Sequence, residues 1–271
     1  MKIKKSTVLK IVAFVILFLM LPHFLLLMVA CGLIDCVRNR PLNRALFHKY
    51  FLGNGMVTWL LSPINLFADV IAMSCKCKWT KEEMPSDVQH EINHLVTNIP
   101  TQKIIESLNE KIGCSQRGMI FFKWYGKNQA THLEIPEFHY NYKYIKTIGV
   151  SAFNKQASTS RHFGPLRLTY RLLYNLEPRQ HDGIYIETSN QRNYWHDNRL
   201  MIFDDTYVHQ SFNESDHIRY CLFVDFIRPS PWPFGYAILN AMSSALYFLL
   251  KQKRFLFYKA WQNIDAKETN S

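Results

Sequence analysis

The chain has 271 residues, of which 48% are hydrophobic and 14% aromatic, and this excludes a largely disordered protein. Lys and Arg number 32 against 21 Asp and Glu, a net charge of +11 that suits an anionic membrane surface or a nucleic acid. The 6 cysteines form no repeated CxxC pair, so a zinc ribbon and a disulfide framework are both excluded, and Cys75-Lys76-Cys77 reads as reduced thiols.

The N-terminus favours the membrane over nucleic acid. MKIKKSTVLK is followed by IVAFVILFLMLPHFLLLMVACGLI, residues 11–34, without a formal charge. That run is long enough to cross a hydrocarbon core of about 30 Å as a helix and too long for the apolar region of a cleaved signal peptide. Residues 1–36 are therefore expected to be an uncleaved transmembrane anchor, with Pro22 and His23 as a kink. Residues 37–78 read as a basic linker, with Arg38, Arg40, Arg44 and Lys49, and a second membrane-associated segment, YFLGNGMVTWLLSPINLFA. If both segments cross, the catalytic domain shares the side of the N-terminus, taken as cytoplasmic.

Residues 80–113 carry Val88, Ile92, Leu95 and Val96 at helical spacing and are expected to be helical up to Gly113. HEINH, from His90 to His94, satisfies the zincin pattern literally, but nothing downstream supplies the extended third-ligand form. From residue 118 the period changes to that of strands. MIFFKWYG, YKYIKTIGVSAFN, LRLTYRLLYNL, GIYIET, RLMIFDDTYVH and IRYCLFVDFI form a series separated by turn signals, as in a sandwich or barrel. No dinucleotide fingerprint, P-loop or nucleophile elbow is present. Residues 230–271 form a C-terminal region in which WPFGYAILNAMSSALYFLL precedes the basic KQKRF. It reads as an amphipathic helix on lipid or as a helix covering the core.

Within the strand series, His162 precedes Gly164-Pro165, and His209 is expected to end the strand RLMIFDDTYVH. Ten residues later Arg219 shares a strand face with Cys221, Phe223 and Asp225. An inward arginine in a β-barrel requires a carboxylate, for which Asp204 and Asp205 are candidates, or a bound anion. His181 and His196 fall in expected turns and read as exposed. Asn213-Glu214-Ser215 matches a glycosylation acceptor.

Residues 119–229 resemble the aspartyl/asparaginyl β-hydroxylase family. FFKWYG, the RHFGP turn and the block YWHDNRLMIFDDTYVHQSFNESDHIRYCLFVDFIRP carry the resemblance, with FDDTYVH and Arg219 its most specific piece. The usual metal triad of such oxygenases is H-x-D…H, but here His162-Phe163-Gly164 puts glycine in the carboxylate slot. That H-x-G form matches the peptidyl members of the family, whereas lipid A 2-hydroxylases tend to carry H-x-D.

The resemblance implies a mainly β catalytic domain, residues 79–229, with a double-stranded β-helix (jelly-roll, cupin-like) and flanking helices. It implies His162 and His209 as Fe(II) ligands and Arg219 as the anchor of the 2-oxoglutarate carboxylate, with dioxygen as the oxidant. Arg171 and Ser151 match further cosubstrate-binding positions, and Trp124 a pocket aromatic. Leu173 stands where members commonly carry a histidine. The expected function is a membrane-anchored Fe(II)/2-oxoglutarate dioxygenase. Its expected substrate is a membrane lipid, such as a lipid A-like acyl chain. The alternatives are a peptidyl Asp/Asn hydroxylase and a non-catalytic binding module.

Overall fold

A computed structural model describes residues 5–250 and the pair 262–263. The N-terminal apolar run is not one helix. α1 (Lys5–Met20) and α2 (Pro22–Val37) are separated at Leu21, because Pro22 opens α2 and cannot continue the hydrogen-bond ladder of α1. Each has 16 residues, so each extends only about 24 Å. Among the described residues no single helix is long and apolar enough to cross a membrane. α3 (Arg44–Leu52) and α4 (Met56–Ala72) pass that test only as a pair bent by 85°. The one-span anchor expected from residues 11–34 is thus replaced by two short helices.

The expected helix over 80–113 is likewise divided, into α5 (Ser86–Thr97) and α6 (Thr101–Ile112), because Pro100 lacks the N–H a continuous helix needs. Glu91 of HEINH accepts the backbone N–H groups of Lys143, Tyr144 and Ile145, His94 meets the Tyr142 hydroxyl at 3.2 Å, and His90 is exposed. The motif secures the start of a strand and assembles no ligand set.

The strands are β1 (Lys78–Trp79), β2 (Arg117–Trp124), β3 (Lys127–Asn128), β4 (Ile145–Phe153), β5 (Ala157–Ser158) and β6 (Thr169–Asn175). They continue with β7 (Ile184–Thr188), β8 (Gln191–Tyr194), β9 (Leu200–Phe203), β10 (His209–Asn213), β11 (Arg219–Ile227) and β12 (Gln262–Asn263). The larger sheet has the order β1-β9-β6-β11-β4-β2-β12, with β3 on β2; the smaller has β5-β10-β7-β8. From β4 to β11 the chain passes repeatedly from one sheet to the other. That alternation gives a mainly β two-sheet sandwich of jelly-roll type with flanking helices. On β6, Tyr170 and Leu172 face outward to the core under α5 and α6, while Leu173 joins the core between the sheets.

One expected strand is divided. RLMIFDDTYVH stops at Phe203, and His209 opens β10 in the other sheet instead of ending β9. Asp204 causes the break: its Oδ1 accepts both the N–H and the hydroxyl of Thr206, a side-chain turn that competes with the ladder.

The N-terminal helices are docked on the sandwich through buried charge. Arg167 is 1% exposed and pairs with Asp35 of α2, Asp69 of α4 and Asp204. Arg38 bridges Asp35 at 3.2 Å and Asp204 at 3.1 Å, and Arg228 reaches Asp69 at 2.7 Å. Three carboxylates thereby meet three guanidiniums, the condition under which buried ions are tolerated. α7 (Gly235–Leu250) packs Leu239 against Ala68, Ile71, Leu168 and Ile227 and leaves Trp232 and Phe234, just before it, exposed. It therefore covers the core along one face. The basic segment expected after it lies outside the described residues.

Candidate active site

Between the sheets lies a cavity of about 70 Å³ whose lining includes His162, His209, Arg171, Arg219, Ser151 and Leu173. The fold brings together five of the six expected site residues. The sixth, Trp124, does not line the cavity. It packs edge-on against Phe121 at 4.8 Å and Tyr125 at 5.2 Å.

The two histidines are held as a pair. His162 and His209 exchange both backbone hydrogen bonds at 3.0 Å, and their rings lie 4.2 Å apart. Nδ1 of His162 donates to the Ser160 carbonyl at 2.7 Å, and Nδ1 of His209 to the Tyr207 carbonyl at 2.9 Å. A carbonyl only accepts, so each neutral ring carries its proton on Nδ1 and keeps its Nε2 lone pair for a metal. Burial lowers the His162 pKa to about 4 and that of His209 well below its ordinary value. Both rings are neutral at pH 7, the form a ligand needs.

The residues beside the histidines are clamped by the N-terminal helices. Phe163 packs edge-on against Tyr50 at 5.0 Å, and the Thr58 hydroxyl donates to the Gly164 carbonyl. Asn39 accepts the Val208 N–H at 2.7 Å. These positioning contacts have no signature in the sequence, because they join positions more than 100 residues apart.

Gly164 occupies the slot where a triad would carry its carboxylate. A Cβ on Gly164 would lie 2.2 Å from Asp205 Oδ2. The space is filled from another strand connection: Asp205 brings its carboxylate there, and the Gly164 N–H donates to the Asp205 carbonyl at 2.7 Å. Burial pushes the Asp205 carboxyl up to about 7, against the pull of Arg171.

The two arginines differ in kind. Arg171 lines the cavity, but its guanidinium is engaged by Asp205 at 2.5 Å and by both oxygens of Asp225 at 2.9 and 3.3 Å. In this geometry it organises two carboxylates at the edge of the cavity. Arg219 is 3% exposed, and its Nε and Nη1 have no hydrogen-bond partner among the described residues. It pairs with neither Asp204 nor Asp205, which serve Arg38, Arg167 and Arg171 instead. It lies over the Phe153 ring at 4.1 Å and the Trp195 ring at 5.5 Å. Burial lowers its pKa, yet an arginine stays protonated at pH 7. Ser151, on the neighbouring strand opposite Cys221, donates to the Cys221 carbonyl at 3.3 Å. Thr159, Ser211 and Met119 also line the cavity and were not anticipated from the sequence.

Three other sequence readings are resolved. His181 is exposed and His196 half-buried beside Asp197 at 3.1 Å, and neither lines the cavity. Asn213 is fully buried and donates to the Phe153, Asn154 and His217 carbonyls, so in the folded chain it is no glycosylation acceptor.

A family model described as aspartyl/asparaginyl β-hydroxylase matches residues 82–229, more than half of the chain. The chain belongs to the aspartyl/asparaginyl β-hydroxylase family. An ornithine lipid ester-linked acyl 2-hydroxylase from Rhizobium tropici is 29% identical over 119 residues, covering 44% of this chain and 42% of that protein. Less than half of that relative's length is thus matched. Among solved structures, an oxidoreductase of the 2OG-Fe(II) oxygenase family from Burkholderia pseudomallei has a TM-score of 0.34 at 11% identity, over 58% of this chain and 97% of that one. A cupin 2 conserved barrel protein from Salinispora arenicola has a TM-score of 0.28 at 12% identity, over 43% of this chain and 82% of that one. In this member of the β-hydroxylase family, two Nε2 lone pairs and a buried guanidinium with no carboxylate partner among the described residues share a common cavity. That donor set fits a divalent metal with open positions and an anionic cosubstrate.

Proposed function

We propose that the protein is a hydroxylase dependent on Fe(II), 2-oxoglutarate and dioxygen, acting on an acyl chain of a membrane lipid. The observation that carries the reading is Arg219: a guanidinium without a carboxylate partner among the described residues, buried in the cavity that holds His162 and His209. An uncompensated buried charge costs several kcal/mol, so a site that keeps one is built for an anion that arrives later.

In this reading His162 and His209 hold the metal through Nε2, and Arg219 grips the distal carboxylate of 2-oxoglutarate, with Ser151 beside it. Bound Fe(II) supplies the centre at which dioxygen is activated while 2-oxoglutarate is converted to succinate and carbon dioxide. The protein's own part is orientation and exclusion of water. Leu173, Phe223 and Met119 give the cavity an apolar wall. Arg171, tied to Asp205 and Asp225, fixes the floor beside the histidines. Leu173 in a position commonly held by histidine removes a hydrogen-bond donor but leaves both ligands and Arg219 in place.

The lipid assignment is supported by the matched relative, whose name describes an acyl 2-hydroxylase, and by the helices. α1, α2 and α4 expose Ile11, Ile16, Leu19, Phe24, Leu27, Val57, Leu60 and Phe67, apolar side chains of the kind that contact a membrane or a partner when they are contiguous. We place these faces in the bilayer, with residues 1–36 and 37–78 as the membrane-associated segments and 79–229 as the oxygenase domain.

The test is succinate formation by the purified full chain with Fe(II), 2-oxoglutarate and a bacterial lipid extract, with mass spectrometry of the lipids. An acyl chain heavier by one oxygen is the expected product. Oxygen added to Asp or Asn of a peptide would make the protein a peptidyl hydroxylase. Absence of cosubstrate and metal binding would leave a non-catalytic module.

A further inference from the structure

A second cavity, of about 120 Å³, abuts the histidine pair from the side of α3. Its charged walls are Arg40, Lys49 and Arg161. It also touches Val208, so two of its walls are the residues that immediately precede His162 and His209. Arg161 is paired with Glu187 at 3.3 Å. Lys49 and Arg40 have no carboxylate partner among the described residues; the Arg40 guanidinium meets only the Val37 and Asn39 carbonyls. Three cations against one acid leave the pocket with a surplus of two positive charges. Asn43, the N-cap of α3, also lines it, and the positive end of the helix adds to the same field.

Two features say what kind of molecule brings the anion. First, exposed apolar side chains adjoin the wall residues in the chain: Leu42 lies between Pro41 and Asn43, and Val37, whose carbonyl the Arg40 guanidinium meets, ends the apolar helix α2. Cations at the rim of such a surface sit at the depth of lipid headgroups. Second, α3 has another cavity on its opposite flank. It measures about 390 Å³ and is lined by Phe14, Val29, Phe47, Phe51 and Trp59, with Lys10 its one charged residue. One short helix therefore divides a cationic pocket from an apolar one, the division an anionic amphiphile has within itself.

We propose that the pocket of Arg40, Lys49 and Arg161 binds the anionic headgroup of a membrane lipid, a phosphate or carboxylate, and so sets which lipid is presented to the histidine pair. The assignment rests on the hydroxylase reading only for its last clause; the binding site stands on its own residues.

The test uses the full chain in neutral detergent. Binding of dioctanoyl phosphatidylglycerol, dioctanoyl phosphatidylcholine and inorganic phosphate is followed by native mass spectrometry. Binding of Mn(II) and 2-oxoglutarate is followed separately. The wild type is expected to prefer phosphatidylglycerol. Lys49→Glu and Arg40→Gln should each weaken it by about tenfold, the scale of one lost charge-assisted contact, while Lys49→Arg retains it. Mn(II) and 2-oxoglutarate binding should be unchanged in all three. If Lys49→Glu does not fold, Lys49→Met makes the same comparison. Equal retention of the two lipids, or no effect of either charge change, overturns the proposal. Inorganic phosphate competing as well as the lipid, or an Asp-rich peptide binding in its place, overturns the lipid assignment. Loss of Mn(II) and 2-oxoglutarate binding with charge-dependent lipid binding intact would keep the headgroup site and reject the hydroxylase reading.

Discussion

Gly164 and Asp205 compete for one volume. The space a side chain at 164 would fill is taken by the Asp205 carboxylate, 2.2 Å from where a Cβ would stand. The nearest obstacle belongs to a short, buried side chain held by Arg171, so it has little freedom to retreat. Gly164→Ala is therefore expected to destabilise the protein by about 1–3 kcal/mol, the usual range for overpacking. Gly164→Asp, which would restore a conventional triad on paper, should fold worse still. Combining it with Asp205→Gly is expected to recover the melting temperature. Recovery in the double variant, measured by thermal unfolding, distinguishes a shared volume from a general intolerance at position 164.

Arg219 gives an outcome of opposite sign. Among the described residues it is buried without a carboxylate, so its charge opposes folding when the anion is absent. Arg219→Met is expected to raise or leave unchanged the melting temperature of the apo protein. It should also lower 2-oxoglutarate affinity by at least about tenfold, the loss expected for a bidentate charge pair. Mn(II) affinity, set by the histidines, should be retained. A structural arginine would show the reverse: lost stability and unchanged cosubstrate binding in calorimetry.

The strand series was legible because a sheet writes its faces into the sequence at period two, whereas the site residues were named through the family resemblance. Arg171 and Leu173 fall on one face of β6 and Tyr170 and Leu172 on the other, as the alternation implies. Trp124 came from the family resemblance and not from the alternation; in the fold it packs against Phe121 and Tyr125 and does not line the cavity. The start of β10 at His209 was hidden by the Asp204 side-chain turn within an otherwise strand-like run. What the alternation does not encode is partner choice. Whether an inward arginine meets a carboxylate, as Arg171 meets Asp225, or none, as Arg219 does, depends on long-range packing.

The ion cluster that docks the helices should behave as a unit. Arg167→Met removes the closest guanidinium of buried Asp35 and one of the two that meet buried Asp204 at 3.1 Å. A loss of about 3–5 kcal/mol is expected, as for other broken buried pairs. Because Asn39 and Thr58 reach the histidine segments from these helices, Mn(II) affinity should fall with it. Asn39→Ala tests that coupling more gently: about 1–3 kcal/mol for the Val208 N–H left unsatisfied. Proteolysis between α2 and α4, followed by mass spectrometry, would report the undocking. Wild-type protection in Arg167→Met would show that the helices dock without the cluster.

Acid sensitivity separates two groups that titrate in the same range with opposite signs. The His162 pKa is about 4 in the folded protein against 6.5 for an unperturbed histidine, and that of His209 is also lowered. Below pH 6.5 the unfolded chain binds protons that the folded chain refuses, so these groups cost stability as pH falls from 6.5 towards 4. Asp205 lies at about 7 when folded against 3.8, so between those values the folded chain binds the extra proton and acidification favours folding. Asp205→Asn should therefore steepen the loss of melting temperature between pH 7.5 and 5, and His162→Gln should make it shallower. Thermal scans of the metal-free protein at both values decide it. Parallel curves for wild type and both variants would mean that neither group carries the shift that its burial imposes.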